Sequence, residues 1–389
     1  MSTIDLGSLG VDCGAHLLLD RTLSRLAPGQ KVEVSGTDVN LGFHLPVWAR
    51  SRGHRFVSGP PPTIVRGDVD SNRLSGAIRA GVTSDVVDQA PASWGLAARG
   101  ALVETGGPPL VGADLNERDV VWSEVAPRLY AQAAAGQWDP ATAIDWTPPG
   151  LPAEIEAAVV QTMTYLIENE QAALTVPARF LGRIHPHFRE VVGFLATQVA
   201  DEARHVEVFT RRAGLCGHLL GVSGAGGRAS LQTLVDEPEW SNASFLLSVL
   251  GEGSFLSLLS FLQRHAPDPV TARVAQLAQV DEARHVSFAL GHLGEFVTHR
   301  PVGRDRLRAA LERRHDALVS TSGLSAAVHD SLVVLAAGSW DPAAIGIGWE
   351  AVQDLQRDMD EGRRRRLVRL GFTETQAEEM SALHTKNFM

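Results

Sequence analysis

The chain has 389 residues, of which 44% are hydrophobic, and it carries a formal net charge of −10. That length is enough for a large core and for two or three domains, and the acidic balance argues against a general nucleic-acid-binding protein. The two cysteines, Cys13 and Cys216, exclude a disulfide framework and fit a reducing cytoplasm, and the first residues lack the basic and apolar pattern of a signal peptide.

The first 68 residues alternate short apolar strands with two amphipathic segments. The first predicted helix ends at Pro28-Gly29, and its apolar residues are Leu17, Leu18, Leu19, Leu23 and Leu26. The predicted order is βαβαββ, which is typical of a small α+β domain. Strands are predicted at 2–6, 31–35, 54–57 and 63–66, and helices at 15–26 and 39–51.

Cys13 lies at the turn from the first predicted strand to the first helix. That turn, Gly10-Val-Asp-Cys13, together with Leu26-Ala-Pro-Gly-Gln30 and Thr37-Asp38, resembles the TusA-like sulfur-carrier family. The resemblance implies a persulfide-carrying cysteine at a helix N-terminus, where a thiolate is stabilised. Gly14 stands where the family has proline, so two interpretations stay open. Either Cys13 is an active carrier, or the domain serves for docking or packing.

Residues 69–116 are rich in Gly, Pro, Ala and Asp and predict a linker. A helical domain is predicted from residue 117 to 389. Trp138 and Trp146 bound a loop that we expect to pack against this domain, with the wall of a substrate channel as the alternative. The predicted helices span residues 124–135, 152–176, 186–212, 241–264, 270–298, 304–320, 324–337, 349–367 and 374–385.

The pentamer Asp-Glu-Ala-Arg-His occurs twice, at 201–205 and at 281–285. In each copy Glu and His are three residues apart, which places both side chains on one face of a helix. A carboxylate and an imidazole that leave one helical turn together supply half of a metal site. The two copies therefore predict both halves of a two-metal site.

The second copy follows an apolar stretch that contains a single charged residue, Glu252, between Ser244 and Leu262. Helical spacing places Glu252 on one face with Val249 and Leu256. An unpaired carboxylate on a core face is costly, so it is expected to be neutral, paired or bound to a metal. The same glutamate argues for a buried bundle helix and against a membrane span.

Two glutamates precede the first copy on its own apolar helix. Glu170 shares an apolar stripe with Ile167 and Leu174, whereas Glu168 lies on a wetter face. We therefore predict Glu170 as the metal ligand and keep Glu168 as the alternative.

Residues 151–293 resemble the ferritin-like di-iron carboxylate superfamily. The repeated pentamer resembles its oxygenase branch, which includes multicomponent monooxygenases, ribonucleotide reductase small subunits and di-iron N-oxygenases. The resemblance implies a helical bundle that holds two metal ions, Fe/Fe or Mn/Fe, with O₂ as cosubstrate and with the Glu-x-x-His carboxylates as bridges. The implied ligands are Glu170, Glu202 and His205 mainly at one ion, and Glu252, Glu282 and His285 mainly at the other.

The remaining pentamer positions leave alternatives open. Asp201 and Asp281 either accept hydrogen bonds from the metal-bound histidines, as such imidazoles generally require, or lie on a solvated helix face. Arg204 and Arg284 are expected to be surface or ion-pair residues. Phe209 stands where the reductase small subunits have a radical tyrosine, which disfavours radical generation.

The predicted fold class is mainly α, a ferritin-like bundle with a small N-terminal α+β domain. The predicted function is O₂-dependent oxidation of a small organic substrate by hydroxylation, N-oxidation or desaturation, with the four glutamates and Cys13 as catalytic residues. The fused domain favours a substrate that contains sulfur or arrives on a carrier. A non-catalytic dimetal protein and a peroxide scavenger are the alternatives.

Partners follow from what the sequence lacks. No flavin, nicotinamide or iron–sulfur motif is visible, so we expect an external reductase or ferredoxin as electron donor. Neither nucleic acid nor a membrane is an expected partner, and a homodimer is an open alternative.

Overall fold

The computed structural model describes residues 2–68, 74–319 and 326–384. The chain divides into two compact units, one within residues 1–86 and 91–110 and the other within residues 87–90 and 111–389. The helix ends predicted at Ser320, Leu324 and Thr385 lie outside the described residues.

The first unit begins with six elements in the order that the sequence predicts. They are β1 Ser2–Asp5, α1 Ala15–Ser24, β2 Lys31–Ser35, α2 Leu41–Ser51, β3 Arg55–Val57 and β4 Thr63–Val65. Strands β1 and β2 are parallel, and β4 runs antiparallel between β2 and β3. Val32 and Ile64 of the sheet pack with Leu19 and Leu45 of the helices, so the alternating strands and amphipathic helices bury one common core.

Part of the stretch predicted as a linker has secondary structure of its own. Strands β5 Ile78–Arg79 and β6 Leu102–Val103 pair antiparallel, and a short 3₁₀ turn buries Trp94. Gly100 adopts a φ of +86° against Thr83, a close approach that glycine permits. Two-residue strands are too short for a periodic pattern, which is why the sequence does not predict them.

The second unit consists mainly of helices. They are α3 Arg118–Val121, α4 Ala126–Ala135, α5 Ala153–Leu181, α6 Arg189–Gly214, α7 Ala225–Asp236, α8 Trp240–Ser244, α9 Gly253–His265, α10 Pro269–His299, α11 Gly303–Leu318, α12 Ala326–Ala337, α13 Pro342–Arg369 and α14 Glu374–His384. Helix α5 packs along α6, α9 packs along α10, and α13 packs against α9. Asp268 caps α10 through the amide of Thr271.

Residues Phe245–Glu252, between α8 and α9, form a π-helix. Because the segment is a π-helix and all eight of its residues are buried, the α-helical face predicted through Glu252 and Val249 is wrong. The predicted burial of Glu252 is confirmed. By length and composition, the stretch Trp240–His265 is apolar enough to cross a membrane. However, 83% of its apolar window is buried in the protein, as in a core helix.

Candidate metal centre

Four helical segments bring the six predicted ligands into one buried cluster. They are Glu170 from α5, Glu202 and His205 from α6, Glu252 from the π-helix, and Glu282 and His285 from α10. Of the two candidates on α5, Glu170 belongs to the cluster, whereas Glu168 is only half-buried and lies outside it.

The donor atoms form two overlapping groups, and within each group they lie no more than 4.8 Å apart. One group comprises Glu170, Glu202, His205 and Glu282, and the other comprises Glu202, Glu252, Glu282 and His285. Glu202 and Glu282 belong to both groups and are therefore placed to bridge two ions. Carboxylates with imidazoles suit iron or manganese, so the residues fit a dimetal centre.

Burial makes this cluster unfavourable without cations. Burial and the charges of Glu202 and Glu282 raise the pKa of Glu170 well above its usual range. Burial and the charge of Glu282 raise the pKa of Glu252 in the same way. One oxygen of Glu252 lacks a hydrogen-bond partner, and the oxygens of Glu282 approach the Nδ1 atoms of His205 and His285 at 3.4 Å and 3.5 Å, outside hydrogen-bond geometry. Carboxylates in this state are stabilised by bound cations.

The pentamer aspartates are buried, and each contacts the histidine of the opposite helix. Nε2 of His205 lies 3.2 Å from Oδ2 of Asp281, and Nε2 of His285 lies 3.3 Å from Oδ2 of Asp201. Nδ1 of His205 and of His285 lies 3.1 Å and 3.0 Å, respectively, from the carboxylate of Glu202. The Nδ1 atoms therefore face the glutamates, and the solvated-face alternative is wrong for both aspartates.

The pentamer arginines join the two aspartates into a crossed network. Arg204 donates to Asp201 and, at 2.9 Å, to Asp281; Arg284 donates to Asp281 and, at 3.1 Å, to Asp201. Both arginines are buried, so the surface interpretation is wrong and the ion-pair interpretation is confirmed. The burial follows from the two identical pentamers facing each other across α6 and α10.

The loop after α4 adds polar contacts that the sequence does not predict. Trp138 donates from Nε1 to Asp281 at 2.9 Å, and Gln137 donates to Asp201 at 3.2 Å. Trp146 lies under the guanidinium of Arg211, 4.1 Å from its Cζ. The predicted packing of this loop against the helices is confirmed.

Replacing Asp281 by Asn is expected to weaken metal binding about 10- to 100-fold, the usual cost of losing a partner that orients a ligand. The amide removes the negative charge that faces His205, Trp138 and Arg204. The affinity is measured by competition between the protein and a coloured chelator for Mn(II). The exposed Asp330→Asn is the control, and an unchanged affinity in Asp281→Asn would refute this role.

A small cavity of about 10 Å³ adjoins the cluster. That volume is near the minimum for one water molecule. It is lined by Asn169, Glu170, Ala173, Leu247, Glu252, Phe255 and Glu282. Nδ2 of Asn169 donates to the carbonyl of Tyr165 at 2.6 Å, and its Oδ1 has no hydrogen-bond partner. The cavity therefore accommodates a molecule of about the size of one water beside the cluster.

Cys13, the remaining predicted catalytic residue, belongs to the first unit and is exposed. It ends a 3₁₀ turn before α1, and the following Gly14 has a φ of +113°. The charge and hydrogen bond of Asp12, followed by smaller contributions that include the charge of Asp38, raise the pKa of the Cys13 thiol. These carboxylates oppose the thiolate that a helix N-terminus stabilises.

No family model and no curated protein matches the sequence. Among solved structures, two variants of an R2-like ligand-binding oxidase with an aerobically reconstituted Mn/Fe cofactor are each 18% identical to this chain. They cover 68% and 67% of this chain and 92% and 94% of their own, with TM-scores of 0.45 and 0.46. A Synechococcus protein with aldehyde deformylating oxidase activity is 18% identical, covering 59% of this chain and 96% of its own, with a TM-score of 0.42.

Proposed function

We propose that this protein is a dimetal oxidoreductase that uses O₂ to oxidise a small organic substrate. The observation that carries the proposal is the buried cluster of four glutamates and two histidines in two overlapping groups. Its unpartnered carboxylate oxygens support the binding of two ions, Fe/Fe or Mn/Fe. The sequence resembles the ferritin-like di-iron carboxylate superfamily, and its repeated Asp-Glu-Ala-Arg-His pentamer resembles the oxygenase branch. This resemblance supports an oxygenase in particular.

Each ligand has a distinct role in this proposal. Glu202 and Glu282 would hold both ions, Glu170 and His205 would hold one, and Glu252 and His285 would hold the other. When bound, such a pair supplies the two-electron redox chemistry with O₂.

The surrounding side chains orient the ligands and exclude water. Asp201 and Asp281 hold each histidine at Nε2, so that Nδ1 stays directed at the glutamates. Ala173, Leu247 and Phe255 form an apolar wall beside Glu170 and Glu252, which keeps water from the reacting groups.

The reaction class that we propose is hydroxylation, N-oxidation or desaturation, with electrons from an external reductase or ferredoxin in the cytoplasm. The N-terminal domain is proposed to be TusA-like, so that the substrate contains sulfur or arrives on a carrier. If Cys13→Ser changes neither product formation nor sulfur labelling of the protein, the sulfur part of this proposal is wrong.

Peroxide scavenging is the second candidate, because a cavity of about 10 Å³ admits only a very small molecule without rearrangement. The test mixes anaerobic, Fe(II)-loaded protein with O₂ in a stopped-flow spectrometer. The oxidase proposal predicts O₂ uptake with a transient visible absorption, and the zinc-loaded protein is the control. Rapid peroxide consumption without O₂ uptake would favour scavenging, and inert iron would favour a structural metal.

The thiol of Cys13 offers an independent prediction. Asp12→Asn is expected to speed alkylation of Cys13 by iodoacetamide at neutral pH. Because Asp12 is the main cause of the raised pKa, its removal increases the thiolate fraction at a given pH. Mass spectrometry in a Cys216→Ser background measures the rate, with the exposed Asp5→Asn as control. Equal rates would show that Asp12 does not govern this thiol.

A further inference from the structure

The π-helix that carries Glu252 is held by an arginine from a distant helix. Arg366 of α13 donates from Nε to the backbone carbonyl of Val249 at 2.7 Å. The amide of Gly253 is directed at the carbonyls of Ser248, Leu250 and Gly251 and not at that of Val249, four residues earlier, and α9 begins at Gly253. In a π-helix each backbone amide donates to the carbonyl five residues earlier, and in an α-helix to the carbonyl four residues earlier. Where the first pattern gives way to the second, one carbonyl oxygen receives no backbone amide. Val249 lies at that position, so Arg366 supplies the donor that the helix lacks.

The local sequence leaves room for this contact. A Cβ at Gly253 would overlap the guanidinium of Arg366. One turn earlier on α13, the buried Arg363 donates from Nη1 to the hydroxyl of Ser254 at 3.1 Å. The guanidinium of Arg366 therefore contacts the backbone before Glu252, at Val249, and that of Arg363 contacts a side chain after it, at Ser254.

Arg366 is an unfavourable residue for packing alone. Burial, together with the charges of Arg363 and Arg365, lowers the pKa of Arg366 to about 9. Its Nη2 is buried without a hydrogen-bond partner, and no carboxylate of the described residues is among the groups that shift its pKa. Arg366 is half-buried, and a guanidinium held partly out of water without a counter-charge destabilises a fold unless it has another role.

We propose that Arg366 is a positioning residue that holds the π-helix Phe245–Glu252 in register and thereby directs Glu252 at the metal cluster. The inference rests on the proposed function and adds a residue to its machinery. A return of this segment to α-helical bonding would turn Glu252 away from the cluster, since one residue of an α-helix corresponds to about 100° of rotation.

The test is the binding of Co(II) by the metal-free full-length protein, followed by calorimetry and visible absorption. Arg366→Met removes the donor at similar side-chain length and is expected to weaken one of the two ions about 10- to 100-fold. The melting temperature of the metal-free protein is expected to change little, because removal of a half-buried charge offsets the loss of the donor to Val249. Arg366→Lys is expected to recover most of the affinity, because its ammonium group also donates to a carbonyl.

Two further variants make the result decisive. Gly253→Ala displaces the guanidinium and is expected to weaken the same ion, whereas the exposed Arg365→Met is expected to match the wild type. The proposal would be overturned if Arg366→Met and Gly253→Ala both bound two Co(II) ions tightly and with the absorption spectrum of the wild type. Loss of both ions together with a large drop in melting temperature would also overturn it in favour of a structural role. A wild-type protein that fails to bind two ions would instead refute the proposed function.

Discussion

Replacing Glu282 by glutamine is expected to abolish the binding of two metal ions. The wild type, loaded anaerobically with Fe(II), is expected to hold two ions per chain, whereas Glu282→Gln holds fewer than one, because this carboxylate belongs to both donor groups. Glu170→Gln is expected to keep one ion, since Glu170 belongs to one group only. Elemental analysis after gel filtration measures the stoichiometry.

The same variants carry an internal control and a second measurement. Glu168 lies two residues from Glu170 on the same helix but outside the cluster. The Glu168→Gln variant is therefore expected to keep both ions. The metal-free Glu282→Gln protein is expected to melt higher than the metal-free wild type, because the charge that repels the buried carboxylates of Glu170 and Glu252 is gone. Two ions in Glu282→Gln would contradict the bridging role.

Replacing Arg212 by alanine is expected to lower the free energy of unfolding by about 3–5 kcal/mol. Arg212 is fully buried on α6 and binds Glu156 of α5 through two hydrogen bonds of 2.7 Å and 2.9 Å. It also donates to Asp268 at 2.9 Å and to Thr271 at 2.8 Å, at the start of α10. Its loss leaves two buried carboxylates without their counter-charge, between three of the helices that contribute residues to the buried cluster.

Urea unfolding followed by circular dichroism measures this loss on metal-free protein. Arg308→Ala is the matched control, because Arg308 pairs with Glu312 and Glu379 at the protein surface. An exposed pair of this kind is worth up to about 1 kcal/mol. A loss in Arg212→Ala as small as in Arg308→Ala would show that this buried network adds nothing to stability.

The six residues of the buried cluster could be predicted from the sequence because their signal is local. Glu and His three residues apart share a helix face whatever the rest of the chain does, and a lone glutamate in an apolar helix is conspicuous. The choice of Glu170 over Glu168 followed from one apolar stripe, and the structure places Glu170 in the cluster. The bounds of α6 and α10 were within about three residues of those predicted, whereas α5 ends five residues later and α13 begins seven residues earlier than predicted.

The features that the sequence did not predict depend on contacts between distant segments. The π-helix at Glu252 accompanies a donor from Arg366, more than a hundred residues further on, and no local pattern encodes that bond. The burial of Arg204 and Arg284 depends on how α6 crosses α10, which spacing within one helix does not specify. The contact of Trp138 with Asp281 requires the loop after α4 to fold back.

Anomalous diffraction at the iron edge, from crystals of the reconstituted protein, tests the two-ion site most directly. The account predicts two peaks about 3.5–4 Å apart, both within reach of Glu202 and Glu282, with Nδ1 of His205 beside one and Nδ1 of His285 beside the other. A single peak, or iron bound only elsewhere, for example at Asp12, Asp38 and His44, would contradict it.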